Sequence, residues 1–287
     1  MFCYLPSNNV IGGLIGKLAG VKQIFGGIRG SKIKSSKMKM LLQKIVCNRI
    51  SDKFIANSGA ARDNYINYGY RPSKILVVPN MIDVDAIEER SRSGRKKMPI
   101  KVLSVGRFVD EKDYDTALKA IELLKEQAES GKLEFIIVGY GPLKVDIIKE
   151  IKKKGLEKYV EIIDGQKPGI VERFLQNSDI FLITSKHEGM PNSVMEAMLH
   201  GLPVVGTNAG DIGKLVVSGK NGFLCRIGDY RDISRNLLRL IKSEKLREEM
   251  GIESYYILKK HFSLQKIGVI YIELLKSFER EQSAIVT

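Results

Sequence analysis

From residue 100 onward, short apolar runs alternate with amphipathic stretches, and this alternation limits the fold more than any other feature of the 287-residue chain. Continuous apolar runs rich in β-branched residues are typical of strands that are buried on both faces. The runs are IKVLSV (100–105), EFIIVG (134–139), VEIID (160–164), DIFLIT (179–184) and LPVVGT (202–207). Helical patterns such as 115–127 and 169–177 lie between them. The alternation predicts a doubly wound, parallel α/β sheet.

The domain organisation follows from where these patterns begin and end. Residues 100–263, with one long helical pattern over 229–260, are predicted to form a complete Rossmann-like domain. Residues 1–86 carry too few strand patterns for a second one and are predicted to form a partial N-terminal α/β domain. The charged segment 87–99 ends in a proline and is interpreted as a linker. Residues 264–287 are predicted to form a C-terminal helix, with packing back on the N-terminal part as one option.

The positive charge of the chain is concentrated at its start. Residues 1–51 hold nine Lys or Arg and no Asp or Glu, in a chain of formal net charge +14. Such a surface suits nucleic acid, anionic lipid or phosphorylated small molecules, but a basic face of a soluble domain explains it equally well. No nucleic-acid-binding motif accompanies the charge, so no nucleic acid partner is expected. The basic amphipathic stretch 35–50 fits contact with an anionic membrane, although its apolar face can equally belong to the core.

Cysteine and histidine patterns give no sign of a metal site. Cys3, Cys47 and Cys225 are far apart and form no CxxC pair, and the histidines form no HxxxH pair. We therefore expect no disulfide framework, no metal and a reducing cytoplasmic location. Lys17 and Lys22 interrupt the first apolar stretch, which argues against a signal peptide or a membrane-spanning helix there.

Two cations follow the first predicted strand of the larger domain, in SVGRFVDEKD (104–113). Gly106 stands at the carboxyl end of the strand, where ligands of open parallel sheets bind and where a glycine permits close approach. Arg107 and Lys112 near the start of a helix suit a diphosphate, although acids between 110 and 113 can equally pair with them. The next strand ends in a turn at Gly139, which is not a P-loop and which turn chemistry alone explains.

Two acids lie in HEGMPNSVMEAM (187–198). Ser193 and Glu196 fit the [ST]-x-x-E capping box, which predicts a structural role for Glu196 at a helix start. Glu188 has no such explanation, because it stands in a loop rich in Gly, Pro and Asn. An acid there is either simply solvated or binds a ligand. We identify no catalytic triad and no paired-acid hydrolase site.

Together these motifs carry a resemblance to a known family. GRxxxxK (106–112), VGxGP (138–142), EGMPNSVMEAMxxGLPVV (188–205) and GKNGFL (219–224) resemble family 4 of the retaining GT-B glycosyltransferases, the glycosyl transferases group 1. On the N-terminal side, 55–69 and 74–83 resemble the segment that leads from that family's first domain into its second. The resemblance covers nearly the whole chain. It implies a GT-B-like fold in which residues 100–263 bind a nucleotide sugar and residues 1–86 lie on the acceptor side.

The resemblance also implies roles for individual residues. Arg107 and Lys112 would hold the donor diphosphate and stabilise the departing nucleotide, and Glu188 would contact hydroxyls of the donor sugar; these three are the expected catalytic residues. Glu196 would bind both ribose hydroxyls. The other expected donor-binding residues are Gly106, Gly139, Gln166, Gly189, Met190, Pro191, Asn192, Ser193 and Val194. The family uses no cofactor, and its donor would be a UDP-sugar or a GDP-sugar.

The resemblance therefore implies transfer of a sugar, with retention of configuration, to a glycan or lipid-linked acceptor. The location would be the cytoplasm, with peripheral contact at the inner membrane face as a further hypothesis. The family's first domain carries additional strands and an early glycine-rich loop, so a truncated N-terminal domain is expected. Arg29 stands where the family often has a histidine, and Asp211 and Lys214 depart from the pattern of a later loop. A catalytically incomplete module that binds a nucleotide sugar without transferring it is the alternative.

Overall fold

The computed structural model describes residues 1–4, 6–29, 37–85 and 98–283. The chain forms two compact units. Unit 1 comprises Met1–Met81, Glu188–Met190 and Phe262–Thr287, and unit 2 comprises Ile82–His187 and Pro191–His261. Most of the predicted linker over 87–99 lies outside the described residues.

Unit 1 is built on a sheet of four parallel strands in the order β1-β2-β3-β4. The strands are β1 (Phe2–Cys3), β2 (Phe25–Ile28), β3 (Lys53–Ala56) and β4 (Ile75–Val77), and the helices among them are α1 (Pro6–Leu18), α2 (Lys37–Ile50) and α3 (Gly59–Asn67). Phe54, Tyr65 and Tyr70 are buried in its core, where Tyr70 meets both other rings edge to face. Ser58 caps α3 by accepting a hydrogen bond from the backbone N–H of Ala61 at 3.0 Å.

Unit 2 contains a sheet of six parallel strands in the order β10-β9-β8-β5-β6-β7. The strands are β5 (Ile100–Val105), β6 (Leu133–Gly139), β7 (Val160–Asp164), β8 (Ile180–Ile183), β9 (Val204–Thr207) and β10 (Gly222–Cys225). The helices are α4 (Tyr114–Glu122), α5 (Lys125–Glu129), α6 (Lys144–Lys153), α7 (Ile170–Gln176), α8 (Asn192–Leu199), α9 (Ile212–Leu215), α10 (Tyr230–Lys242) and α11 (Glu244–Phe262). The prediction of a doubly wound parallel α/β sheet is confirmed.

Two details of unit 2 differ from the sequence prediction. β10 was not predicted, because it has only four residues and begins with a glycine, so it presents no long apolar run. The predicted helix over 229–260 is two helices that meet at Ser243, whose backbone is extended. The side chain of Arg247 donates to the carbonyl oxygens of Leu240 and Ile241 at 2.6 and 3.1 Å, which satisfies the end of α10.

The last helix, α12 (Leu264–Ser283), belongs to unit 1 by its contacts. Its residue Ile267 is buried against Ile55 of β3 and Val78, which follows β4. Among the described residues, no helix combines the length and the apolar character needed to cross a bilayer.

Candidate functional site

The strand order of unit 2 creates a topological switch point between β5 and β8. From β5 the chain continues to β6 and β7 on one side of the sheet, and from β8 it continues to β9 and β10 on the other. Ligands of open α/β sheets bind outside the carboxyl ends of the strands at such a point. The segment 106–113 follows β5, and the loop that begins at Thr184 follows β8. The predicted motifs therefore leave the sheet where this fold places ligands.

Three glycines bring the ends of β5, β6 and β7 into close backbone contact. A Cβ atom on Gly139 would overlap the carbonyl oxygen of Gly106, and one on Gly165 would lie 3.1 Å from the Cα of Gly139. The N–H of Gly106 donates to the carbonyl of Val138 at 3.0 Å, and the N–H of Gly165 donates to that of Gly139 at 3.1 Å. Glycine is thus required at position 139 because the backbones pack closely there. Turn chemistry, which alone explained this glycine in the sequence, did not predict that requirement.

The two predicted phosphate-binding cations differ in their surroundings. The stem of Lys112 lies beside Gly106, since a Cβ atom on that glycine would be 3.1 Å from the Lys112 Cε. Tyr114 supports the same turn by donating from its hydroxyl to the carbonyl of Gly106 at 3.0 Å. Arg107 is exposed, and no carboxylate of the described residues forms an ion pair with it. The expected alternative, in which nearby acids neutralise these cations, is therefore not observed for Arg107.

Asp113 anchors the turn that carries Lys112. It is buried and adopts a left-handed backbone conformation with φ +49°, which side chains other than glycine rarely adopt. Its carboxylate accepts a hydrogen bond from the Thr116 hydroxyl at 2.7 Å and lies 3.7 Å from the Lys186 ammonium. Lys186 also contacts Asp110 at 3.2 Å. Burial lowers the pKa of Lys186, but its hydrogen bonds and attraction to Asp110 and Asp113 outweigh burial and raise it.

Backbone hydrogen bonds fasten the same turn to the loop after β8. The N–H of Lys186 donates to the carbonyl of Glu111 at 2.8 Å. The Thr184 hydroxyl lies 3.0 Å from the carbonyl oxygens of both Lys112 and Asp113. We call Asp113, Thr116, Thr184 and Lys186 the turn clasp. It holds the turn of Lys112 in a fixed position at the switch point.

Helix α8 begins earlier than the capping-box pattern predicts. Its N-cap is Pro191, with no side-chain cap bond, so Ser193 is the second helical residue and not the cap. Proline fixes its own φ, here −77°, and has no N–H that needs an acceptor, so it is well suited to the start of a helix. Glu196 consequently lies in the second turn. The predicted capping role of Ser193 and Glu196 is wrong.

Glu196 is a partly buried carboxylate, and no described residue donates a hydrogen bond to it. Burial, and secondarily the negative charge of Glu172, raise the pKa of Glu196. Glu172 itself lies 2.9 Å from the Nε2 of His200, which is buried at the end of α8. Partly buried polar groups normally have hydrogen-bond partners, so Glu196 is the kind of acceptor that a ligand with hydroxyl donors would satisfy.

The other predicted donor-binding residues are distributed over both units. Glu188 is partly buried and Gly189 and Met190 are buried, and these three group with unit 1. In unit 2, Pro191 and Val194 are buried, Ser193 is partly buried, and Asn192 and Gln166 are exposed. The N–H of Gln166 donates to the Asp164 carboxylate at 3.0 Å, which fixes the turn after β7. Within the described parts of the chain, no group of three or more His, Cys, Asp or Glu side chains is placed to hold a metal ion.

Two family models together match most of the chain. Residues 85–255 match the model described as glycosyl transferases group 1, and residues 27–86 match glycosyltransferase family 4. The chain belongs to the glycosyl transferases group 1 family. The predicted family is thereby confirmed, while the expected retaining mechanism and the expected truncation remain predictions.

Several curated relatives of this group 1 chain carry names from polysaccharide biosynthesis. The amylovoran biosynthesis glycosyltransferase AmsK of Erwinia amylovora is 34% identical over 152 residues, which are 51% of this chain and 37% of that protein. The lipopolysaccharide core biosynthesis glycosyltransferase LpsE of Rhizobium meliloti is 25% identical over 80% of this chain and 65% of its own length. This chain spans about half the length of such relatives.

Solved structures establish the fold class. The Anabaena protein Alr3699/HepE, crystallised with UDP, superposes with a TM-score of 0.84 at 22% identity, over 96% of this chain and 78% of that one. The lipopolysaccharide outer core galactosyltransferase WaaB, in its apo form, gives a TM-score of 0.73 at 20% identity, over 96% and 74% of the two chains. The predicted GT-B-like fold is confirmed.

Proposed function

We propose that this chain is a retaining glycosyltransferase that moves a hexose from a UDP-sugar or GDP-sugar to a glycan or lipid-linked acceptor. Glu196 is the observation that carries the proposal, because it is a partly buried carboxylate to which no described residue donates a hydrogen bond, in a helix that starts at the switch point. A carboxylate can accept two hydroxyl hydrogen bonds at once, as the cis diol of ribose requires. The UDP bound to HepE and the names of the relatives support this nucleotide-sugar assignment.

In this proposal the reaction depends on electrostatic stabilisation of the leaving group. The bond between the anomeric carbon and the donor phosphate breaks, and a bond from the acceptor oxygen to the same face of that carbon forms. The acceptor proton passes to the leaving phosphate oxygen. Arg107 and Lys112 would neutralise the charge that develops on the diphosphate, and Glu188 would hold the sugar hydroxyls. No protein nucleophile, metal or cofactor takes part.

We expect nucleotides to raise the melting temperature of the wild type and to do so much less for Glu196→Ala. Binding to the folded state stabilises it by mass action. Loss of two hydrogen bonds to a carboxylate should weaken binding by roughly 10- to 100-fold. A thermal-shift panel of UDP, GDP and ADP with their sugars measures the effect. Glu157→Ala is the control, because Glu157 is exposed and precedes β7, at the opposite edge of the sheet.

The absence of a shift with every nucleotide, in a folded protein, would contradict the proposal. Binding without release of nucleotide in the presence of an acceptor would support the alternative, a catalytically incomplete nucleotide-sugar-binding module.

The same assay has an expected pH dependence. Because the pKa of Glu196 is raised, its carboxyl gains a proton at a higher pH than an ordinary glutamate, and UDP affinity should decline as the pH falls through that raised value. Glu172→Gln removes a nearby negative charge, lowers the pKa of Glu196 and should move this decline to lower pH. Isothermal titration with UDP between pH 4 and 8 checks this. Unchanged profiles in Glu172→Gln would contradict the assigned interaction.

We also propose a cytoplasmic location with peripheral contact to an anionic membrane through the basic N-terminal region. Helix α1 exposes Ile11, Leu14, Ile15 and Leu18, with exposed fractions of 59%, 43%, 60% and 88%. Residues 1–51 contain no acid that would oppose attraction to anionic lipid. We expect the protein to sediment with vesicles of phosphatidylglycerol and phosphatidylcholine, and the double variant Ile15→Gln, Leu18→Gln to sediment less. Equal sedimentation with neutral phosphatidylcholine vesicles would rule this contact out.

A further inference from the structure

The carboxyl edge of the sheet in unit 1 carries an arginine with two neutral neighbours that the proposed donor contacts do not use. Tyr4 follows β1, Arg29 follows β2 and Asn80 follows β4, so all three stand at the edge where parallel sheets bind ligands. We call these three residues the edge cluster. In the family resemblance Arg29 stands where a histidine is often found, and a cation there could lie near a phosphate.

Arg29 is exposed and is held by two neutral neighbours. Its Cζ lies 5.4 Å from the centre of the Tyr4 ring, and its Nη1 lies 3.5 Å from the amide oxygen of Asn80. Over the part of unit 1 that the structure describes, no carboxylate forms an ion pair with it. A ring and an amide oxygen orient a guanidinium without cancelling its charge, and most of its N–H donors stay available.

Other charges near Arg29 do not neutralise it. Tyr271 of α12 is close enough to interact electrostatically with both Tyr4 and Arg29: burial and Tyr4 raise the pKa of Tyr271, and Arg29 opposes the rise. The tyrosine is a neutral neighbour at ordinary pH. Arg29 is therefore a cation with which no carboxylate of the described residues forms an ion pair, and such a cation favours an anionic ligand.

A hydrogen bond places the edge cluster next to the loop that contains Glu188. The amide of Asn80 donates to the carbonyl of Met190 at 3.0 Å, and both residues belong to unit 1. Asn80 thus contacts Arg29 through its oxygen and the 188–190 loop through its nitrogen. An anion bound by Arg29 would lie near the group that we assign to the donor sugar.

We propose that the edge cluster binds a carboxylate or phosphate that is carried by a saccharide substrate. Arginine recognises both groups with paired, charge-assisted hydrogen bonds, which a lysine or histidine cannot form in the same way. The anion belongs either to the acceptor or to the donor sugar, as in a uronic acid. This inference rests on the proposed transferase function for the identity of the saccharide, but the anion site itself does not require turnover.

Isothermal titration of the protein with matched ligand pairs tests the inference. The acceptor pairs are methyl glucuronide against methyl glucoside and glucose 6-phosphate against glucose, each in the presence of UDP. The donor pair is UDP-glucuronate against UDP-glucose. We expect the anionic member of at least one pair to bind roughly tenfold or more tightly than its neutral partner. A preference in an acceptor pair assigns the anion to the acceptor, and a preference in the donor pair assigns it to the donor.

Arg29→Gln should remove that preference, and Arg29→Lys should restore only part of it. Arg71→Gln is the matched control, because Arg71 is an exposed arginine of the same unit that precedes β4 at the opposite edge of the sheet. The absence of any preference in the wild type, or a preference that persists in Arg29→Gln, would overturn the inference. If UDP fails to bind, the proposed function fails, yet a preference for methyl glucuronide that Arg29→Gln abolishes would still establish the anion site.

Discussion

Lys112→Ala is expected to reduce turnover of a nucleotide sugar by about 10²- to 10³-fold, the usual cost of losing one preorganised charge-stabilising group. The side chain lies beside Gly106 at the switch point, where a donor diphosphate would develop negative charge as its bond to the sugar breaks. Because that charge is largest in the transition state, kcat should fall more than KM rises. Nucleotide release, measured with the donor that gives the largest thermal shift, quantifies the effect.

The matched control for this prediction is Lys158→Ala, which removes an exposed lysine that precedes β7 at the other edge of the sheet. That variant should retain the wild-type rate. Lys112→Arg keeps the charge and should recover part of the turnover. If Lys112→Ala keeps a wild-type kcat with the preferred donor, Lys112 has no role in stabilising the leaving group.

Asp113→Ala is expected to lower the free energy of unfolding by about 2–3 kcal/mol, because it removes the buried carboxylate that Thr116 and Lys186 contact. The contribution of Lys186 is modest, since that side chain is 38% exposed and its ion pair is screened. Asp113→Gly removes the same contacts but relieves the left-handed backbone at φ +49°. The free energy of unfolding of Asp113→Gly should therefore be about 1 kcal/mol higher than that of Asp113→Ala. Urea denaturation of the two variants measures both differences.

The comparison between these two variants separates the effect of backbone strain at residue 113 from the effect of losing the carboxylate contacts. Equal stability would mean that residue 113 stores no conformational strain. Thr116→Val, which replaces only the hydroxyl with a methyl group, should lower the free energy of unfolding by less than Asp113→Ala does. Both Asp113 variants should also reduce turnover, since the turn clasp holds the segment that carries Lys112; unchanged turnover would limit the clasp to a role in stability.

The fold was predictable because the strands of unit 2 are buried on both faces and appear as continuous apolar runs. Sequence patterns did not predict the structure where a strand is short or where a helix end depends on a side chain from a later helix. β10 has four residues and begins with glycine, and the break at Ser243 depends on Arg247 reaching back to the end of α10. The capping box at Ser193 failed because Pro191 starts the helix two residues earlier than that pattern requires.

The candidate site was predictable only as far as its motifs are contiguous in sequence. Lys112 and Glu196 each stand within a recognisable motif. Thr184 and Lys186 of the turn clasp contact residues of the 110–113 turn that are 71 to 76 positions earlier in the chain. They meet because β8 lies next to β5, and the order of strands in a sheet is not visible in the residues of either strand. The contact between Arg29 and Asn80 could not be predicted from the sequence for the same reason.

The glycines at the ends of β5, β6 and β7 also restrict how this protein can be engineered. At position 139 any side chain would overlap the carbonyl oxygen of Gly106, so we expect most variants there to misfold; at position 165 a Cβ atom would require only a small shift of the Gly139 backbone. Gln166 is exposed, and its turn is fixed through the backbone by Asp164. Selection for a changed donor should therefore sample residue 166, which the family resemblance places among the donor-binding residues, and leave Gly139 unchanged.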